Sequence, residues 1–285
     1  MKVIKIFIAV VIIAFCGFLF LENYTPTIDE NHGKIQTRLY LGNSENQPLI
    51  VGFGGSEGGN AWDSDYWKPT RDKFIEKGYA FLAIGYFGSE DTSNNLDRIS
   101  LDAIHDSIVK IAKNPKINSN KIAIIGGSKG GELVLNLASK YNNIKSVIAI
   151  IPSHVSFPAL TALGLTSSWT FKGKEVPFVP IPYKAVPSLT SGELLKSFNV
   201  MLEDKIAEEN STIQVEKING SIFLLSANND EYWPSTKMSN KIMERLKNKK
   251  FKNHYEHITI KGGHTEPLKH FDLIYDFLDK NFQKK

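Results

Sequence analysis

Cysteine is almost absent from this chain, which has a single one, Cys16, among 285 residues. One cysteine excludes an intrachain disulfide and a metal site built from several cysteines. A surplus of one charge is also lacking, because 34 basic residues face 30 acidic ones and the formal net charge is only +4. So small a net charge does not favour nucleic acid as a partner. A catalytic nucleophile must therefore be sought among residues other than cysteine.

Long hydrophobic runs are confined to the N-terminus. Lys2 and Lys5 precede the uncharged residues 6–21, which would span about 24 Å as a helix. The residues that follow lack the small side chains of a signal cleavage site, so we expect residues 1–21 to form an uncleaved membrane anchor rather than a signal peptide. Residues 22–36 would be a tether. The N-terminal lysines place the remaining chain outside the cytoplasm, membrane-anchored or, if the segment is cleaved, secreted.

From residue 37 to 285 the pattern predicts one α/β domain. Short β-rich apolar runs alternate with helix-periodic stretches, which is typical of a mostly parallel sheet with helices on both faces. The predicted strands are 49–53, 80–86, 121–125, 146–151, 221–226 and 257–260. The predicted helices are 67–77, 96–113, 129–140, 234–247 and 269–282.

Residues 152–220 interrupt this alternation and contain six of the chain's 12 prolines. We interpret the segment as a cap inserted over the carboxyl edge of the sheet, where open α/β sheets bind ligands. Its large apolar residues would line an acyl pocket or, alternatively, pack a satellite core inside the cap. They are Leu160, Leu163, Leu165, Trp169, Phe171, Phe178, Val179 and Ile181.

The strongest motif is G-x-S-x-G, formed by Gly126, Ser128 and Gly130 between a predicted strand and a predicted helix. This is the setting of a nucleophile elbow, in which the serine occupies a strained turn and larger residues at the glycine positions would collide. Neither the P-loop nor the G-x-G-x-x-G pattern is present, so a phosphate-binding turn is excluded. Ser128 is the predicted nucleophile, and the motif indicates an α/β-hydrolase fold.

In this fold the acid and the base follow the serine along the chain, each in a loop after a later strand. Asp230 lies after strand 221–226, with Glu231 as its rival. His264 follows the last strand and two glycines, whereas the other six histidines lie in less suitable positions. We predict a Ser128, Asp230 and His264 triad.

The oxyanion donors are predicted from two further places. The glycine-rich loop after the first predicted strand offers the backbone N–H of Ser56. The second donor is the N–H of Lys129, which follows the nucleophile at a helix N-terminus.

These residues resemble the C-terminal catalytic domain shared by acyl-CoA thioesterases and bile acid-CoA:amino acid N-acyltransferases, which is related to dienelactone hydrolases. The resemblance runs from about residue 37 to 282 and is carried by six stretches of sequence. These are the glycine loop 54–59, the stretch IGGSKGGE at 125–132, the cap stretches SWTFKGK at 168–174 and PFVP at 177–180, and NDEYWPS at 229–235 with the pair Gly263 and His264.

The family implies the same roles for Ser128, Asp230 and His264. The chain departs from it at Asn229, where the family usually has a second acid, and the acyltransferase branch uses cysteine where this chain has Ser128. The chain also has only a tether where some relatives carry a β-sandwich domain.

The resemblance implies a serine hydrolase that cleaves acyl thioesters or carboxylic esters without a metal or cofactor. Its partners would be a small acyl substrate and, through the N-terminal segment, a membrane. An acyltransferase that uses the same serine, and an inactive binding protein on a hydrolase scaffold, are the alternatives.

Overall fold

The protein is described by a computed structural model, which covers residues 6–7, 11–12, 17, 24 and 26–283. Within these residues, no helix has both the length and the apolar character that a membrane crossing requires. The predicted anchor, residues 1–21, lies for the most part outside the described residues and stays a prediction.

A seven-stranded sheet forms the centre of the domain, and a second sheet of three short strands lies beside it. In the described part of the chain the strands are β1 Gln36–Tyr40, β2 Gln47–Phe53, β3 Ala80–Gly85, β4 Ile99–Ser100, β5 Ile117–Gly127, β6 Ile144–Ile150, β7 Trp169–Phe171, β8 Lys174–Glu175, β9 Ser221–Ala227 and β10 Tyr255–Ile260. The large sheet has the order β1-β3-β2-β5-β6-β9-β10. Only β1 runs antiparallel to its neighbour. The predicted mostly parallel sheet is confirmed.

Helices connect the parallel strands. Those of the described residues are α1 Lys68–Glu76, α2 Leu101–Ile111, α3 Lys129–Lys140, α4 Val186–Thr190, α5 Leu194–Met201, α6 Lys205–Asn210, α7 Ser235–Asn248 and α8 Phe271–Leu278. Helix α2 begins five residues later than predicted, because Ser100 caps it by accepting a hydrogen bond from the Ala103 N–H and because β4 pairs with β7.

The central strands are buried on both faces, which explains their nearly continuous apolar sequences. Along β5, Ile122 and Ile124 face one apolar cluster, whereas Ala123 and Ile125 face another on the opposite side of the sheet. Each fully buried Ile contributes about 1.5–3 kcal/mol relative to an exposed one. The sheet is thereby fixed, and the loops at its carboxyl edge project from a rigid base.

The segment 152–220 contains β7, β8 and helices α4 to α6. It packs a third apolar cluster of its own, which includes Val155, Phe157 and Val179 and reaches Trp233 outside the segment. Trp169 instead belongs to the main core and is fully buried. The large apolar residues of this segment thus divide between a satellite core and the main core, while Leu160, Leu163 and Leu165 are exposed.

Candidate active site

Ser128 occupies a sharp turn between β5 and α3. Its φ of 55° and ψ of −119° are unfavourable for a residue with a side chain, and such strain costs on the order of 1–3 kcal/mol. A Cβ atom added to Gly126 would lie 2.3 Å from the Gly130 carbonyl oxygen, and one added to Gly130 would lie 2.4 Å from the Gly54 carbonyl oxygen. The collisions that the motif predicts are therefore present, and only glycine fits both positions.

The imidazole of His264 lies between the other two predicted triad residues. Its Nε2 atom is 3.1 Å from Ser128 Oγ, and its Nδ1 atom is 2.8 Å from Asp230 Oδ1. His264 and Asp230 are buried, and Ser128 is half-buried. A proton on Nδ1, facing the carboxylate, leaves Nε2 free to accept the serine proton. The structure thus brings together the three residues in an arrangement that can activate a serine.

Asp230 and its sequence rival Glu231 have different contacts. Besides His264, Asp230 Oδ1 accepts hydrogen bonds from the Tyr232 and Trp233 backbone N–H groups, at 3.0 and 3.2 Å. The carboxylate of Glu231 accepts one from the His264 backbone N–H at 2.8 Å. Asp230 therefore orients the imidazole ring, whereas Glu231 holds the loop that carries it.

The loops of the acid and the base are also tied to each other. The Asn229 N–H donates to the Gly262 carbonyl oxygen, and the Gly262 N–H donates to Asn228 Oδ1, both at 3.0 Å. Asn229, the position at which the chain departs from the resembled family, contributes here through its backbone. Loop-to-loop bonds of this kind keep His264 in register with Asp230.

The predicted oxyanion loop packs directly against the elbow. The buried Tyr86 hydroxyl donates to the Gly54 carbonyl oxygen at 2.8 Å and to the Gly55 carbonyl oxygen at 3.2 Å. The Gly55 N–H donates to both carboxylate oxygens of Glu57 at 2.9 Å. Ser56 follows at the rim of the cavity, and Lys129 is the first residue of α3. Their roles as oxyanion donors stay predictions.

A buried ion pair under the elbow was not predicted. Lys129 Nζ lies 3.0 and 2.9 Å from the carboxylate oxygens of the fully buried Glu132. The Glu132 carboxylate also accepts hydrogen bonds from Trp169 Nε1 at 2.7 Å and from the Phe157 N–H at 3.2 Å. Burial raises the pKa of Glu132 and lowers the pKa of Lys129, while their mutual attraction opposes both shifts. The network joins the elbow to segment 152–220.

In the sequence, the only indication of this pair is the i,i+3 spacing of Lys129 and Glu132. Trp169 was expected among the candidates for an acyl pocket. It serves instead as a buried donor to the ion pair.

A cavity of about 200 Å³ opens onto Ser128 and His264. Its remaining lining residues come from the glycine-rich loop after β2, the segment that leads into α1, the ends of β2, β5 and β6, and the loops after β9 and β10: Phe53, Gly54, Gly55, Ser56, Glu57, Ala61, Trp62, Trp67, Gly127, Ile150, Ile151, Tyr232, Thr265 and Leu268. Among the described residues, none of 152–220 lines it. The apolar cap residues therefore do not line this cavity, and the contacts of Val179 favour the alternative of a satellite core inside the cap.

Other histidines are engaged away from this cavity. His154 Nε2 lies 2.8 Å from Glu208 Oε1, and His257 Nε2 lies 2.8 Å from Ser226 Oγ. In the part of the chain that the structure describes, no group of three or more His, Cys, Asp or Glu side chains is placed to hold a metal ion.

Residues 99–267 match the family model described as BAAT / acyl-CoA thioester hydrolase C terminal. Acyl-coenzyme A thioesterase 1 of Mus musculus is 27% identical over 170 residues, which cover 60% of this chain and 38% of the relative. Acyl-coenzyme A thioesterase 6 of the same species is 25% identical over 224 residues, covering 75% of this chain and 48% of the relative. The chain thus spans less than half the length of these curated relatives.

Solved structures share the fold. The α/β hydrolase GrgF from Penicillium sp. sh18 superimposes with a TM-score of 0.56 at 14% identity, covering 87% of this chain and 99% of that one. Est1E from Butyrivibrio proteoclasticus, with ferulic acid bound, gives a TM-score of 0.55 at 18% identity, covering 87% and 95%. The predicted α/β-hydrolase fold is confirmed.

Proposed function

The chain belongs to the BAAT / acyl-CoA thioester hydrolase C-terminal family, and we propose that it is a serine hydrolase that cleaves acyl thioesters or carboxylic esters. The observation that carries this proposal is the alignment of Ser128 Oγ, His264 and the Asp230 carboxylate, with contacts of 3.1 and 2.8 Å. Thioester substrates are supported by the named relatives, whereas simple esters would use the same chemistry.

Reaction begins when Ser128 Oγ attacks the carbonyl carbon while His264 Nε2 takes the hydroxyl proton. The new O–C bond pushes the carbonyl electron pair onto oxygen, and the N–H groups of Ser56 and Lys129 donate to that anion. Collapse of the tetrahedral intermediate expels the thiolate or alkoxide, which takes the proton from His264. Asp230 stabilises the transient imidazolium.

The acyl group then remains on Ser128 as an ester. Water attacks this ester with His264 again as the base, and the carboxylic acid leaves as the serine recovers its proton. An acceptor amine or alcohol in place of water would give the acyltransferase alternative. An inactive binding protein is disfavoured by the short contacts of Ser128 and Asp230 to the imidazole.

A fluorophosphonate probe tests this function directly, because it reacts with activated serines. We expect stoichiometric labelling of the full chain, and none in the Ser128→Ala variant. A panel of acyl-CoA thioesters and simple esters, with and without an added amine acceptor, then separates thioesterase, esterase and transferase. Equal labelling of both proteins would place the reactive serine elsewhere.

We also propose that residues 1–21 attach the catalytic domain to a membrane, on its outer side. Support comes from Lys2, Lys5 and the uncharged residues 6–21. Coenzyme A is chiefly cytoplasmic, so a domain on the outer side would act on a different acyl compound.

A further inference from the structure

The cavity that opens onto Ser128 is lined by one carboxylate side chain and by no lysine or arginine. Its lining residues are otherwise glycine, hydroxyl, aromatic and aliphatic residues, and the exception is Glu57. The neighbouring cation Lys129 is buried and paired with Glu132, so its charge is already matched. The electrostatic preference of the cavity therefore depends on Glu57.

Glu57 is held close to the nucleophile. Both of its carboxylate oxygens accept from the Gly55 N–H at 2.9 Å. A Cβ atom added to Gly55 would lie 2.9 Å from Glu57 Oε2 and 3.4 Å from Ser128 Cβ. The Glu57 carboxylate and the Ser128 side chain therefore both lie close to this one position beside Gly55. The Tyr86 hydroxyl holds this loop in place by donating to the Gly54 carbonyl oxygen.

Among the described residues, no basic side chain forms an ion pair with this carboxylate. None of the ion pairs found among the described residues includes Glu57, and the side chain is exposed at the cavity rim. One N–H group leaves several of its lone pairs unused. An unpaired carboxylate beside a reacting carbonyl attracts a substrate cation and repels a substrate anion.

Aromatic rings line the same cavity as the carboxylate. Trp67 is half-buried and Tyr232 is 46% exposed, and both line the cavity. Aromatic faces attract ammonium groups through the ring quadrupole. A carboxylate and two accessible rings in about 200 Å³ form a small site suited to an organic ammonium ion.

We propose that Glu57 makes this hydrolase select substrates with a positive charge within a few bonds of the scissile carbonyl, such as aminoacyl esters and thioesters or esters of amino alcohols. The same carboxylate disfavours acyl groups that bear a second carboxylate. Glu57 takes no part in proton transfer and determines specificity. This inference rests on the proposed serine hydrolase function and narrows its substrate class.

The test uses the full chain as the enzyme and three N-acetylcysteamine thioesters as substrates. Their acyl groups are glycyl, propionyl and malonyl. Glycyl and propionyl differ by an ammonium in place of a methyl group, and malonyl adds a carboxylate. Glu57→Gln keeps an oxygen that can accept from the Gly55 N–H but removes the charge. Glu90→Gln, an exposed position outside the cavity lining, is the matched control.

We expect the wild-type kcat/KM to fall in the order glycyl, propionyl, malonyl. Unit charges about 6 Å apart at an effective dielectric near 40 change a rate about tenfold. Glu57→Gln should therefore lower the glycyl-to-propionyl ratio about tenfold and raise the malonyl-to-propionyl ratio similarly, whereas Glu90→Gln should leave both ratios unchanged. A comparison of acetylthiocholine with its neutral 3,3-dimethylbutyl isostere shows whether a positive charge in the leaving group is selected in the same way as one in the acyl group.

Unchanged ratios in Glu57→Gln for both the acyl-side and the leaving-side pairs overturn the inference and leave the hydrolase proposal standing. Absence of wild-type activity on every thioester and ester tested, together with absence of fluorophosphonate labelling at Ser128, overturns both. Should the variant not fold, the wild type alone decides: its glycyl-to-propionyl ratio must fall as ionic strength rises. A salt-independent ratio would also overturn the role of Glu57.

Discussion

His264 Nε2 lies 3.1 Å from Ser128 Oγ, although 136 positions separate the two residues in the chain. The contact is possible because β5 and β10 run in the same direction, so that the loops after them meet at one edge of the sheet. Strained backbone at Ser128 raises its hydroxyl toward the ring. Sheet topology and elbow geometry together create the proposed catalytic contact.

Replacing Asp230 by Asn should lower kcat by a factor on the order of 10³ to 10⁴, because an amide favours the wrong imidazole tautomer. Glu231→Gln is the matched control, since it keeps an oxygen that can accept from the His264 backbone N–H. We expect it to lose less than tenfold. Steady-state kinetics on one thioester suffice, and losses of equal size would show that the acid has been misassigned.

The cavity lining predicts which side chain sets acyl-chain preference. Leu268 lines the cavity and lies next to Gly127, whereas Phe178 does not line it. Leu268→Ala should raise kcat/KM for longer chains relative to acetyl, by a factor equivalent to about 1–3 kcal/mol of activation free energy. Phe178→Ala should leave the chain-length profile unchanged. Both variants are assayed on acyl chains of increasing length, with thermal unfolding alongside. A shifted profile in Phe178→Ala alone would restore the cap as the acyl pocket.

The stability of the protein should depend on pH through Glu208. A hydrogen bond from His154 Nε2, with Lys205 and Lys241 nearby, holds the pKa of Glu208 well below its ordinary value of about 4.3. A carboxyl pKa that is lower in the folded state stabilises the fold above the ordinary pKa, and this stabilisation is lost as pH falls below it.

The free energy of unfolding should therefore decrease more steeply below pH 5 in the wild type than in Glu208→Gln. The neighbouring, exposed Glu209 provides the control, and Glu209→Gln should follow the wild-type curve. Denaturant titrations between pH 3 and 7 measure all three. Parallel curves for wild type and Glu208→Gln would exclude Glu208 as a source of the pH dependence.

The full chain should sediment with membranes of its native host, and a form without residues 1–21 should be soluble and active. The physical reason is the uncharged run 6–21, which favours the hydrocarbon region of a bilayer. Immunoblots of membrane and soluble fractions measure this. A shortened soluble protein in the host would instead indicate signal cleavage, and soluble full-length chain would contradict an anchor.

The sequence was sufficient to predict the parallel strands and to place Ser128, Asp230 and His264 at the ends of three of them. These features depend on local signals: apolar runs, glycines around a serine, and polar loops after strands. Two other non-local contacts carry no such local signal. Strand β1 pairs antiparallel with β3 far along the chain, and Trp169 donates to Glu132 across 37 positions.

The sequence left the packing of the cap open for the same reason. Composition showed that segment 152–220 must bury apolar side chains, but it did not show against what. Val179 packs within the segment, and Trp169 packs in the main core. Neither residue lines the cavity beside Ser128, whose lining instead includes Trp62, Trp67 and Leu268.

The kcat/KM of Ser128→Ala on a thioester that the wild type hydrolyses tests the proposed nucleophile most directly. Without the Oγ atom no acyl-enzyme forms, and we expect a loss on the order of 10³-fold or more. Thermal unfolding should change little, because Gly126 and Gly130 still permit the turn. A variant that keeps more than a tenth of the wild-type kcat/KM would contradict Ser128 as the nucleophile.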